Sequence, residues 1–124
     1  VIIAGSRDIK DYDLVRSAVE DFQREYAEIT EVVAVSAKKF DAFVQRHCEE
    51  NLLKYKRLPV EWNGGGGNGD RPYDPAARRK RNWRACQWAA GLITIGDDDN
   101  IKDLRRTARK LGLMTVEHGK AEAA

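Results

Sequence analysis

Side chains with chemistry to offer fall in separate clusters along this sequence. Gly5-Ser6-Arg7-Asp8 directly follows an apolar run. A glycine there lets backbone approach a ligand closely, the Ser6 hydroxyl can donate or accept, and the planar fork of Arg7 matches a phosphate or carboxylate. The competing role is architectural, with Gly5 as a turn, Ser6 as a cap and Arg7 as a partner for Asp8 or a more distant acid. Farther on, Arg78, Arg79, Lys80, Arg81 and Arg84 form a basic run interleaved with Trp83 and Trp88. That run suits a solvated cationic face, and nucleic-acid contact would need the cations on one groove beside exposed aromatics. Tryptophans in such a stretch more often anchor a core or an interface. Asp97, Asp98 and Asp99 suit a helix start, where carboxylates favour the dipole. They could also hold Mg²⁺, but no second acidic cluster accompanies them, so no metal is expected. The two cysteines and two histidines lack metal-ligand spacing. Cys48 and Cys86 read as free thiols. The adjacent His47 and Cys48 point roughly 100° apart around a helix and do not form a nucleophile pair.

An alternation of strands and helices must position these clusters. Val1 to Ala4 is a continuous apolar run, the signature of a strand buried on both faces of a parallel sheet. The spacing of Leu14, Val15, Ala18, Val19 and Phe22 predicts a helix from Leu14 to Tyr26, capped by Asp11 or Asp13. A second strand is expected from Ile29 to Val35 and a second helix from Ala37 to Leu53. Tyr55 to Val60 reads as a weaker third strand, placed at an edge by its flanking lysines and by Pro59. Asn63 to Pro75 holds five of the ten glycines and two of the three prolines, and residues 63–74 read as a flexible loop. Asp74 and Pro75 then resemble an N-cap and first position of a helix reaching about Ala89. Gly91 to Ile95 is a further strand, Ile101 to Leu111 a helix stopped by Gly112, and Leu113 to Val116 the last strand. Residues 120–124 read as a frayed tail.

This order implies right-handed crossovers and a five-stranded, mainly parallel sheet in the order 3-2-1-4-5 with helices on both faces. The expected fold is therefore a single Rossmann-like α/β domain over residues 1–119. First and fourth strands are then neighbours at the switch point, where a crevice opens beyond their carboxyl ends. Gly5 to Asp8, the loop entering the Pro75 helix, and Gly96 to Asn100 should reach it.

Composition bounds the function classes. With 124 residues, 42% hydrophobic and 34% charged, the chain fits one soluble globular domain and not a disordered one. Its net charge of +2 is too mild to announce a nucleic-acid binder. No run approaches the ~20 apolar residues a bilayer span needs, and no charged-then-apolar leader is visible. The expectation is a cytoplasmic protein without membrane contact.

The opening V-I-I-A-G-S-R-D, its following helix, and a second strand containing V-V together resemble the YspA-type (DUF2493) branch of the SLOG superfamily, common in bacteria and phages. Further matches are Asp41-Ala42, Pro59 with Trp62, Arg81-Asn82, and Ala89 to Ile95, so the likeness covers nearly the whole chain. It implies a Rossmann-like domain that binds nucleotides or their derivatives. Relatives include phosphoribohydrolases that free bases from nucleoside monophosphates and others that sense nucleotide signals. Carried over by position, Gly5, Ser6, Arg7, Asp41, Arg81 and Asn82 would line the pocket. The family's G-G-A-x-G-A-D loop is here Val35-Ser36-Ala37-Lys38-Lys39-Phe40-Asp41, without a glycine. Lys38 and Lys39 would supply side-chain charge in place of the lost amides. The family's G-T pair opening the last helix is here Asn100-Ile101.

The expected function is a noncatalytic binding module for a nucleotide or nucleotide-derived phosphate ligand, of phage or mobile-element type and needing no cofactor. One alternative is a nucleoside-monophosphate phosphoribohydrolase with Asp41 as its carboxylate. The other is an interaction scaffold with a degenerate pocket, using Asn63 to Arg84 as a homo-oligomer contact or against a host protein or nucleic acid.

Overall fold

The two most apolar strands lie side by side at the centre of the sheet. In the computed structural model, which describes residues 1–60 and 75–118, β1 (Ile2–Gly5) and β4 (Gly91–Ile95) are buried at every position. They pair in parallel, with Ile3 opposite Ile93. Helices cover both faces, so the two-residue period is hidden in the sequence and emerges only in the packing. Ile3, Ile93 and Ile95 meet Val15, Val19, Phe22, Phe40 and Val44 on one side. Ile2, Ala4 and Leu92 meet Ala85, Cys86, Leu104 and Ala108 on the other. Each such fully buried side chain contributes roughly 1.5–3 kcal/mol.

The first face is covered by α1 (Tyr12–Glu25) and α2 (Lys38–Glu50), the second by α3 (Ala77–Trp88) and α4 (Asp99–Leu111). With β2 (Glu31–Ala34), β3 (Lys54–Arg57) and β5 (Met114–His118), the sheet runs β3-β2-β1-β4-β5, and every pairing is parallel. This is the doubly wound α/β arrangement the alternation predicted.

Local chemistry moves several boundaries. The Asp11 carboxylate accepts from the Asp13 amide and starts α1 at Tyr12, earlier than the apolar stripe indicates. α2 ends at Glu50 instead of Leu53, because Leu52 turns left-handed with φ 55°. α3 starts at Ala77 instead of Pro75; its cap position is Ala76, which offers no side-chain bond. Asp74, the expected cap, lies outside the described residues, as do the 63–74 loop and the 120–124 tail. β5 runs on past Val116 because Glu117 and His118 continue the ladder with Thr94 and Ile95. β3 is an edge strand, shorter than expected, with Lys54 and Lys56 outward and Tyr55 and Arg57 half-buried. Trp83 and Trp88, expected as core or interface anchors, are 43% and 65% exposed and belong to no core cluster. Gly112, with φ 73°, closes α4 as anticipated. No helix among the described residues is long and apolar enough to cross a membrane.

Candidate functional site

Beyond the carboxyl ends of the strands a cleft of about 770 Å³ opens. Two of the expected segments reach it, Gly5 to Asp8 after β1 and Gly96 to Asn100 after β4; Arg78 and Arg81 line it from α3, while the loop entering that helix, the third expected segment, lies largely outside the described residues. The loop after β2, expected at the pocket from the family resemblance, contributes Val35 to Ala37, and a wall that was not anticipated comes from Arg57, Pro59 and Val60 after β3. A five-strand parallel sheet brings every strand's carboxyl end to the same edge, which is why the cleft extends past the β1/β4 switch point.

The Gly5 to Asp8 turn is held more tightly than a free anion cradle would be. Gly5 donates its N–H to the Ser36 hydroxyl at 2.9 Å. A Cβ at Gly5 would lie 2.1 Å from the Phe40 ring, so the glycine makes room for α2 packing against β1. Ser6 donates its N–H to the Ile95 carbonyl at 2.9 Å and its hydroxyl to Asp8 at 2.6 Å. That bond holds the exposed Asp8 carboxyl below the usual carboxylate range. Ser6 also presses on Gly96, where φ is 97° and a Cβ would meet the hydroxyl at 1.9 Å. Arg7 remains exposed on the cleft, with no hydrogen bond or ion pair among the described residues.

The side chains expected to line the pocket from α2 and α3 separate. Lys38 opens α2 but is exposed outside the cleft lining. Asp41 is 1% exposed and also outside it. Its carboxylate accepts from the Ser36 amide at 3.0 Å and from Arg57 Nε at 2.7 Å, tying α2 to the ends of β2 and β3. Burial pushes the Asp41 carboxyl up from its ordinary range, against the downward pull of Arg57 and the Ser36 amide. Arg57 lines the cleft, and its Nη2 donates to the Ser36 carbonyl at 3.3 Å.

Arg81 and Asn82 belong to a buried polar network centred on Asn100. Arg81 donates to the Leu58 carbonyl at 3.0 Å, to Asn100 Oδ1 at 2.9 Å and to Asn82 Oδ1 at 2.7 Å. Asn82, fully buried and outside the cleft lining, donates to Asn100 Oδ1 at 3.0 Å and to Asp103 at 2.8 Å. Asn100 in turn donates to the Val35 carbonyl at 3.1 Å. The network joins the ends of β2 and β3 to the starts of α3 and α4, and Arg81 reaches the cleft as part of its wall. Burial pulls the Arg81 pKa down to about 10, so the side chain stays charged at neutral pH and contributes its field.

Among the three aspartates, Asp98 accepts from the Ile101 amide at 2.9 Å as the α4 cap, as expected. Asp97 pairs with the buried Arg105 at 3.3 Å, while Arg105 also holds Thr94 Oγ1 and the Gly96 carbonyl. Among the described residues no group of His, Cys, Asp and Glu is arranged to hold a metal ion. Burial raises the thiols of Cys48 and Cys86 to about 11, which leaves both as poor nucleophiles.

Sequence reasoning did not single out Ser36, Arg57 or Arg78 as cleft residues, whereas Asn100 closes the Gly96 to Asn100 segment expected there. The signal for Arg57 was its place at the carboxyl end of a strand, where an acid on the preceding helix can reach it. Arg78 lines the cleft with its Nε buried and without a hydrogen-bond partner.

With this geometry, comparison with known proteins gives a narrow answer. No family model matches the chain, and no curated protein matches it. Among solved structures, the chain is similar to the crystal structure of Acinetobacter baumannii MurG, with a TM-score of 0.58 over 95% of this chain at 11% identity. The likeness is one of fold. This chain spans about a third of that protein, 34% of its length. At such identity the match supports the Rossmann-like architecture and carries no residue across.

Proposed function

We propose that the chain is a noncatalytic binding module for a nucleotide or nucleotide-derived ligand, held by its phosphate in the cleft beyond the sheet. One observation carries this reading. Most polar groups lining the cleft are spent on one another, yet Arg7 faces it without a described partner and Arg78 leaves a buried Nε unpaired. Both guanidiniums border the cleft, and each offers the charge and planar donor fork that a phosphate takes up. The cleft's volume of about 770 Å³ falls in the range of small-ligand sites, and its position matches where doubly wound sheets hold ligands. The resemblance to the SLOG superfamily points the same way. Hydrolysis is less well supported, because the carboxylate it would use, Asp41, is buried, engaged by Arg57 and Ser36, and absent from the cleft lining.

The test is thermal shift, followed by calorimetric titration, against mononucleotides, ADP-ribose and cyclic dinucleotides. At least one should raise Tm, and Arg7→Ala combined with Arg78→Ala should abolish the shift without changing the fold by circular dichroism. If no compound shifts Tm, or the double variant binds as the parent does, the reading is wrong.

A further inference from the structure

The basic run on α3 does not act as one unit, because the helix divides it. Arg78 and Arg81 turn toward the cleft, while Arg79, Lys80, Trp83 and Arg84 line a separate groove between α3 and α4. The far wall of that groove carries Arg106 and Lys110, spaced one helical turn apart, and the groove has a volume of about 610 Å³. Among the described residues five cations therefore line it. Among the described lining residues the acid is Asp103, 5% exposed, whose carboxylate already accepts from Asn82 at 2.8 Å and from Arg106 at 3.1 Å. With Lys80 left out of the count, the four remaining cations less one carboxylate leave the described lining about three charges positive, although the whole chain carries only +2. The positive charge is concentrated here. Trp83, 43% exposed, presents an aromatic ring among those cations.

We propose that the α3/α4 groove binds a single-stranded nucleic acid, its phosphates along Arg79, Arg84, Arg106 and Lys110 and a base stacked on Trp83. A row of cations on two helices exceeds what one phosphate can use, so the complementary partner is a polyanion. The interleaved ring selects among polyanions. Every base has a π-face that stacks on an aromatic side chain once it is unpaired, whereas acidic peptides and lipid headgroups lack one. A duplex keeps its bases stacked and would use the cations alone. This site is distinct from the cleft, so the two proposals stand or fall separately.

The experiment is fluorescence anisotropy of a labelled oligodeoxythymidylate titrated with the full chain. Binding should weaken about 50-fold between roughly 50 and 200 mM salt, as expected for about four neutralised phosphates on a single strand. Trp83→Ala should weaken it at least about fivefold, the lower limit for loss of one stacking contact, with Trp83→Phe restoring most of the loss. Arg84→Glu should weaken it further, and Arg7→Ala should leave it unchanged. The proposal is overturned if the oligonucleotide does not bind at low salt, or if Trp83→Ala and Arg84→Glu bind as the parent does. It is equally overturned if polyglutamate or anionic phosphatidylserine vesicles bind in place of the oligonucleotide.

Discussion

Gly5 stands at the end of β1 with the Phe40 ring where its own side chain would be. That contact separates a packing role from a ligand role. Gly5→Ala should cost on the order of 1–3 kcal/mol through overpacking, measured by urea denaturation. Adding Phe40→Leu should recover part of that loss, and a purely additive double mutant would show that Phe40 is not the cause. Ser6 and Asp41 illustrate the same division, since each spends its hydrogen bonds on neighbouring backbone or side chains. Arg7 and Arg78 are the residues whose chemistry points outward.

At the scale of elements, the end of α2 carries an avoidable cost. The Leu53 amide bonds the Cys48 carbonyl at 2.9 Å, closing a Schellman turn that places Leu52 at the left-handed position usually given to glycine. Leu52 is 94% exposed, so its side chain returns almost no burial energy. Leu52→Gly should therefore stabilise the protein by about 1 kcal/mol, the approximate strain of a non-glycine residue in that region, and raise Tm. A drop in Tm would mean that the leucine makes contacts the turn geometry does not account for. The same element ends α2 earlier than its apolar pattern predicts. Helix α4 shows the contrasting case, with Asp98 at its start and Gly112 at its end in the residue types each position favours.

For the whole molecule, pH should act through His47, which sits near the end of α2 and is 6% exposed. Burial is the largest influence on it and holds its pKa below the ordinary 6.5; Arg16 adds to that depression while Glu50 and Glu20 oppose it. As pH falls through 6.5 the unfolded chain takes up a proton before the folded one does, so folding stability is lost on the acid side. Stability should be flat with respect to this group above that pH and decline below it. Denaturation midpoints measured across this range should show the decline in the parent and a shallower one in His47→Gln. Equal slopes would assign the acid sensitivity to other groups.

The sequence by itself determined the topology. Continuous apolar runs at Val1 to Ala4 and Gly91 to Ile95 can be satisfied only by burial on both faces, and the alternation with amphipathic helices leaves few parallel arrangements. The crevice followed from that order, together with the turn at Gly5. What the sequence could not supply was how polar side chains are spent, because a hydrogen-bond partner is chosen by distance in space and not by residue type. Arg81 and Asn82 look like ligand contacts in a basic stretch, and only the approach of α4 turns them toward Asn100 and Asp103. Asp41 looks like a catalytic carboxylate until β3 brings Arg57 within 2.7 Å. The division of the basic run between cleft and groove likewise depends on where α3 lies against α4. Tertiary packing therefore decided which charges hold the fold together and which remain open to a partner.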